Sequence, residues 1–117
     1  MIKIAPSILS ADYASLGSAV DVLADWGADY VHLDVMDGAF VPNITFGAPM
    51  TKALRPHTEL VFDAHLMVEN PSKWVQPFKE AGADIVTIHV EADKHAHRTL
   101  QLIRCLLYTS DAADDLI

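Results

Sequence analysis

Tyr30-Val31-His32-Leu33-Asp34-Val35 decides how the chain is read. It is a short apolar run, rich in β-branched and aromatic residues, and it reads as a strand. Side chains alternate along a strand, so His32 and Asp34 project from one face and Leu33 from the other. Just upstream stands Gly27-Ala28-Asp29, and the same tripeptide recurs as Gly82-Ala83-Asp84 ahead of a second such run, Ile85-Val86-Thr87-Ile88-His89-Val90. Each copy closes a helical stretch and opens a strand.

Working outward, Ile2 to Leu9 reads as a first, buried strand. Ser10-Ala11-Asp12 supplies cap-type residues for a helix from about Tyr13 to Trp26, with Leu16, Val20, Leu23 and Ala24 at helical spacing. A Gly/Pro/Asn-punctuated loop, Met36 to Gly47, leads to a short helix near Pro49 to Leu54 and a third strand over roughly Glu59 to Leu66. Asn70-Pro71-Ser72 opens a helix with Trp74, Val75 and Phe78 on its apolar face. The fourth strand, Ile85 to Val90, is followed by a helix that begins near Asp93 and includes Leu100 and Ile103.

The order βαβαβαβα demands an α/β fold with a parallel sheet. Doubly wound sheets and barrels share that local signature. Polar residues at the C-terminal ends of three successive strands, namely Ser7, then His32 and Asp34, then His65, favour a (β/α)8 TIM barrel, which builds its site at that end. Such barrels typically take about 250 residues, so these four βα units amount to a half barrel and the 117-residue chain reads as truncated.

Composition narrows the function classes. With 51% hydrophobic and 21% charged residues the chain is globular. A formal net charge of −8 argues against a nucleic-acid or anionic-membrane surface, because a binder of phosphate backbones needs a basic face. The opening apolar run is too short for a signal h-region or a membrane span, which points to a cytoplasmic protein. The single cysteine, Cys105, excludes an intrachain disulfide framework and a thiolate zinc site.

His32, Asp34 and His65 offer two imidazoles and a carboxylate. That donor set suits one divalent zinc, iron, manganese or cobalt ion better than magnesium or calcium, which prefer oxygen shells. His32 or His65 taken alone reads more readily as a buried ring satisfied by hydrogen bonds than as a ligand. Ser7 could donate to a substrate oxygen or simply serve a turn. Met36 and Met67 lie two residues beyond Asp34 and His65 and could wall the site, or fill core gaps as methionine commonly does. His89 repeats the offset of Asp34 from its glycine, which aims it inward at the mouth of strand four, or it packs as a satisfied core histidine; Glu91 reads as a solvated loop residue. His95 and His97, beside Lys94 and Arg98, read as a solvated helix face.

Taken together, Ala5-Pro6-Ser7-Ile8-Leu9-Ser10-Ala11-Asp12, His32-Leu33-Asp34-Val35-Met36-Asp37-Gly38, Phe40-Val41-Pro42-Asn43 with Thr45 and Gly47, and Asp63-Ala64-His65-Leu66-Met67-Val68 resemble the ribulose-phosphate 3-epimerase family. The resemblance runs from Ile4 to about Arg104. It implies epimerisation at C3 of a ketopentose phosphate through an enediolate, with a sugar phosphate as partner, a homo-oligomeric parent, and His32, Asp34 and His65 as metal ligands. Asp34 would also be a catalytic acid/base, and Ser7, His65, Met36 and Met67 would face the substrate. The family's second aspartate and its phosphate-binding loops would lie beyond Arg104, so the chain alone is expected to be inactive. Rival readings are a hexulose-phosphate epimerase, a lyase or decarboxylase using a similar enediolate, and a non-catalytic βα interaction module.

From Cys105 onward the helix-to-strand pattern stops. Cys105 to about Asp115 resembles the translation of a transposase adapter used in preparing DNA libraries. The expected domain division is therefore 1–104 as the half barrel and 105–117 as a non-native tail.

Overall fold

In the computed structural model, which describes residues 2–107, three strands pair in parallel in the order β1 (Tyr30–Met36), β2 (Val61–Met67), β3 (Ile85–Ile88). The alternation read from the sequence sorts the two faces. Val31, Leu33, Val35, Phe62, Ala64, Leu66, Val86 and Ile88 are buried on one side. The helices on that side are α1 (Leu16–Asp21), α2 (Ala48–Leu54), α3 (Ser72–Glu80) and α4 (Ala96–Leu107). They contribute Leu16, Val20, Leu54, Val75, Phe78 and Ile103 to the same core. The opposite face carries His32, Asp34, Asp63, His65 and Thr87, all half-buried.

Both Gly-Ala-Asp copies do the same structural work. Gly27 and Gly82 adopt φ of 89° and 109°, a region that side chains disfavour, and so turn the chain out of its helix. The amides of Ala28 and Ala83 then reach back to the carbonyls of Leu23 and Phe78 at 3.1 and 3.0 Å. Each aspartate clips the start of the preceding strand. Asp29 exchanges backbone and carboxylate bonds with Ile4, and Asp84 does so with Phe62, all at 2.9 Å. Arg55 seals the second copy, its guanidinium donating to the Gly82 carbonyl at 3.0 Å and lying 3.7 Å over the Phe62 ring.

Three expectations change. Ile2 to Leu9 is not a buried strand but an extended segment beside β1, with Ile2 88% and Ile4 55% exposed. It bonds to β1 through Tyr30 N to Ile4 O at 3.1 Å, His32 N to Pro6 O at 2.9 Å and Ile8 N to His32 O at 3.3 Å. Pro6 has no N–H to give the ladder, and among the described residues no chain covers the segment's outer side. The first helix is a 3-10 turn, Tyr13–Ser15, followed by α1 alone. Ser15 leaves helical geometry at φ −140°, ψ 42°, and Gly17 and Ser18 are weak helix formers. The fourth strand ends at Ile88, because Val90–Ala92 coil into a 3-10 turn. At the C-terminal end α4 runs past Arg104 to Leu107, and the rest of the expected tail lies outside the described residues. Among those residues no helix is long and apolar enough to cross a membrane.

Candidate metal centre and active site

Strand register brings the polar residues together. Asp34 stands beside His65, and His32 beside Asp63. Across the β2–β3 pair His65 stands beside Thr87. His32 Nε2 lies 3.1 Å and His65 Nδ1 lies 3.2 Å from the same Asp34 oxygen, Oδ1. One ligand atom from each of the three residues falls within 4.8 Å of the others. Two neutral-capable imidazoles and a carboxylate at that spacing could hold a divalent metal ion.

The other Asp34 oxygen, Oδ2, accepts the Ser7 hydroxyl. The Ser7 Oγ also accepts the Leu9 amide at 3.2 Å, as a turn serine does. Burial pushes the Asp34 carboxyl up, but the Ser7 hydroxyl and the His32 and His65 rings outweigh it and leave the pKa below the ordinary carboxylate value. His32 moves the other way. Its hydrogen bond to Asp63 raises its pKa above that of free imidazole, against the opposing effect of burial. His65 is lowered, chiefly by burial.

Met36 and Met67 stand next to each other in register, half-buried on the site's side of the sheet two residues past Asp34 and His65. His89 does aim at the site, with Nε2 2.7 Å from His65 Nε2. His95, His97 and Glu91 are exposed. Asp63 had no role assigned from sequence, yet its Oδ2 lies 3.0 Å from His32 Nδ1. Its position two residues before His65, on the same face, was the available signal.

The loop after β1 is tied down by Asp37. Its Oδ1 accepts the amides of Ala39 and Phe40 and its Oδ2 that of Glu69, each at 2.9 Å, so the β1 loop is pinned to the end of β2. Burial raises the Asp37 carboxyl, but the three amides prevail and hold its pKa below the usual value. A carboxyl depressed in the folded state stabilises at pH above its unfolded value and loses that stabilisation as pH falls through the folded value. The amide resonances of Ala39, Phe40 and Glu69 are therefore expected to hold their shifts through the ordinary carboxylate range and move together only below it. Movement at the usual aspartate pKa would show that the clip is not formed.

The family model described as "Ribulose-phosphate 3 epimerase family" matches residues 3–110. The chain belongs to that family. Relatives named ribulose-phosphate 3-epimerase include those of Bacillus subtilis (strain 168), 55% identical over 104 residues, and of Rhodobacter capsulatus, 54% identical over 103 residues. The first alignment covers 89% of this chain and 48% of the relative, the second 88% and 45%. A rice protein named as the cytoplasmic isoform is 51% identical over 92 residues, 79% of this chain and 40% of its own length. The chain spans about half the length of the curated relatives it matches, or somewhat less. A parallel α/β layer of this size in the epimerase family fits the N-terminal half of a TIM barrel.

Proposed function

We propose that the whole protein interconverts D-ribulose 5-phosphate and D-xylulose 5-phosphate, and that this chain supplies one of its two proton-transfer groups and three of its metal ligands. The observation carrying this reading is the convergence of His32 Nε2 and His65 Nδ1 on Asp34 Oδ1 in a chain of the epimerase family. His32, Asp34 and His65 would hold one zinc, iron, manganese or cobalt ion. When bound, that ion supplies positive charge to the substrate oxygens on which negative charge develops.

The two Asp34 oxygens then have different tasks. Oδ1 faces the imidazoles, and Oδ2 faces the Ser7 hydroxyl. Oδ2 removes the proton from C3 of the ketose. The C–H electron pair becomes the C2–C3 double bond of an enediolate as the carbonyl electrons move onto oxygen. Ser7, already donating at this point, exchanges its bond to Oδ2 for one to a substrate oxygen. The lowered Asp34 pKa keeps the carboxylate ionised at neutral pH, the protonation state a base requires. Met36 and Met67 wall the mouth with polarizable apolar surface that excludes water.

Returning a proton to the opposite face of C3 needs a second acid. By family likeness it stands beyond Arg104, as do the phosphate-binding loops. The isolated chain is thus inactive, while its parent is a cytoplasmic, homo-oligomeric isomerase. A chimaera carrying residues 4–104 in place of the matching part of the B. subtilis relative tests this. It is expected to convert ribulose 5-phosphate at a rate within about tenfold of that relative, because Asp34, Ser7 and the three ligands proposed here then stand in a complete barrel. A correctly folded chimaera without turnover overturns the reading.

A further inference from the structure

We infer that Asp63 and His89 are positioning residues that fix which ring nitrogen of His32 and of His65 is turned to Asp34. The inference rests on the three-ligand reading above and extends it to the layer behind the ligands.

His32 is held at both nitrogens, Nδ1 3.0 Å from Asp63 Oδ2 and Nε2 3.1 Å from Asp34 Oδ1. An ionised carboxylate can only accept, so Nδ1 facing Asp63 carries a hydrogen, and with a metal ion bound beside Asp34 it is Nε2 that is left to offer a lone pair. Asp63 is itself steadied from β3, where the Thr87 hydroxyl points at its Oδ1 from 3.5 Å.

His65 is arranged in the opposite sense. Its Nδ1 faces Asp34 and its Nε2 lies 2.7 Å from His89 Nε2. Two imidazole nitrogens at that separation share a single hydrogen. When His65 Nδ1 offers its lone pair, the hydrogen sits on His65 Nε2 and His89 accepts it. The remaining His89 nitrogen, Nδ1, then carries its own hydrogen and faces Glu91 Oε2 at 3.8 Å. The His89 ring is kept in place by stacking on His65, centroids 4.9 Å apart and planes at 30°, and by Phe40 at 5.3 Å on the loop that Asp37 clips. Without these partners either histidine ring could rotate and present the wrong nitrogen. Hydrogen-bonded partners behind ligating histidines commonly change metal affinity by about 10- to 100-fold.

The test is Co2+ titration of the 117-residue chain and four variants, followed by calorimetry and by the visible absorption of the bound ion. His89→Phe keeps a ring against His65 and Phe40 but removes the acceptor, and Asp63→Leu removes the carboxylate. Both are expected to bind Co2+ about 10- to 100-fold more weakly with an altered spectrum. His89→Gln and Asp63→Asn each retain an acceptor oxygen and should recover part of the affinity. Unchanged affinity and spectrum in His89→Phe and Asp63→Leu would overturn the inference alone. So would weakened binding that the amide variants fail to recover, which marks a role in packing only. Absence of Co2+ binding by the unaltered chain overturns the three-ligand reading and this inference with it.

Discussion

In the chimaera with the B. subtilis relative, Asp34→Asn is expected to leave the fold intact and to slow solvent-deuterium incorporation at C3 of ribulose 5-phosphate by about 1,000-fold or more. The amide has the size and shape of the carboxylate, and its oxygen can still accept from an imidazole N–H. What it lacks is charge and basicity. Positioned general bases contribute about 100- to 10,000-fold, and the same substitution also takes the only anion from among the three candidate ligands. Both losses fall on one side chain, so the effect belongs at the upper end of that range. Exchange within about tenfold of the unaltered chimaera would place the base elsewhere and leave Asp34 a structural partner of Ser7 and the two histidines.

The second large effect concerns stability. Phe62→Ala in the 117-residue chain is expected to cost about 4 kcal/mol, read as a drop in the urea midpoint at constant slope. The ring is fully buried at the start of β2, its face is covered by the Arg55 guanidinium, and its amide is one of the two clipped by a Gly-Ala-Asp carboxylate. Alanine leaves a cavity that the flanking backbone, held at both ends, cannot collapse to fill. That is a large share of the roughly 5–15 kcal/mol that holds a typical domain together. A change under about 1 kcal/mol would mean that the sheet is not packed on its helices as described.

The parity of His32 and Asp34 could be read from sequence because it is local, following from the two-residue period of any strand. The buried Leu33 and the helix-to-strand turns at Gly27 and Gly82 followed from equally local rules. The partners of His32 and His65 did not. Whether Asp63 or Ala64 lies beside His32 depends on register between strands far apart in sequence, and nothing in either run states it. The first segment misled for a different reason. Ile2 and Ile4 have the side chains of a buried strand, but burial needs a neighbour on both sides, and among the described residues only β1 is present. The shortened first helix reflects competition that periodicity does not see, since Leu16, Val20 and Leu23 repeat correctly while Ser15 leaves helical geometry.

The two carboxylate clips at Asp29 and Asp84 sit at the N-terminal foot of the sheet, just before β1 and β3 begin. Sliding one strand past its neighbour by a residue would swap buried for open side chains along its whole length, and these clips oppose that slip at its root. The alignment of Ser7 with His32, and of His65 with Thr87, is thus gauged from the foot of the sheet. Loops at the rim can change in length or composition while each clipped pair keeps its alignment, so selection or design could rework that rim without resetting the foundations.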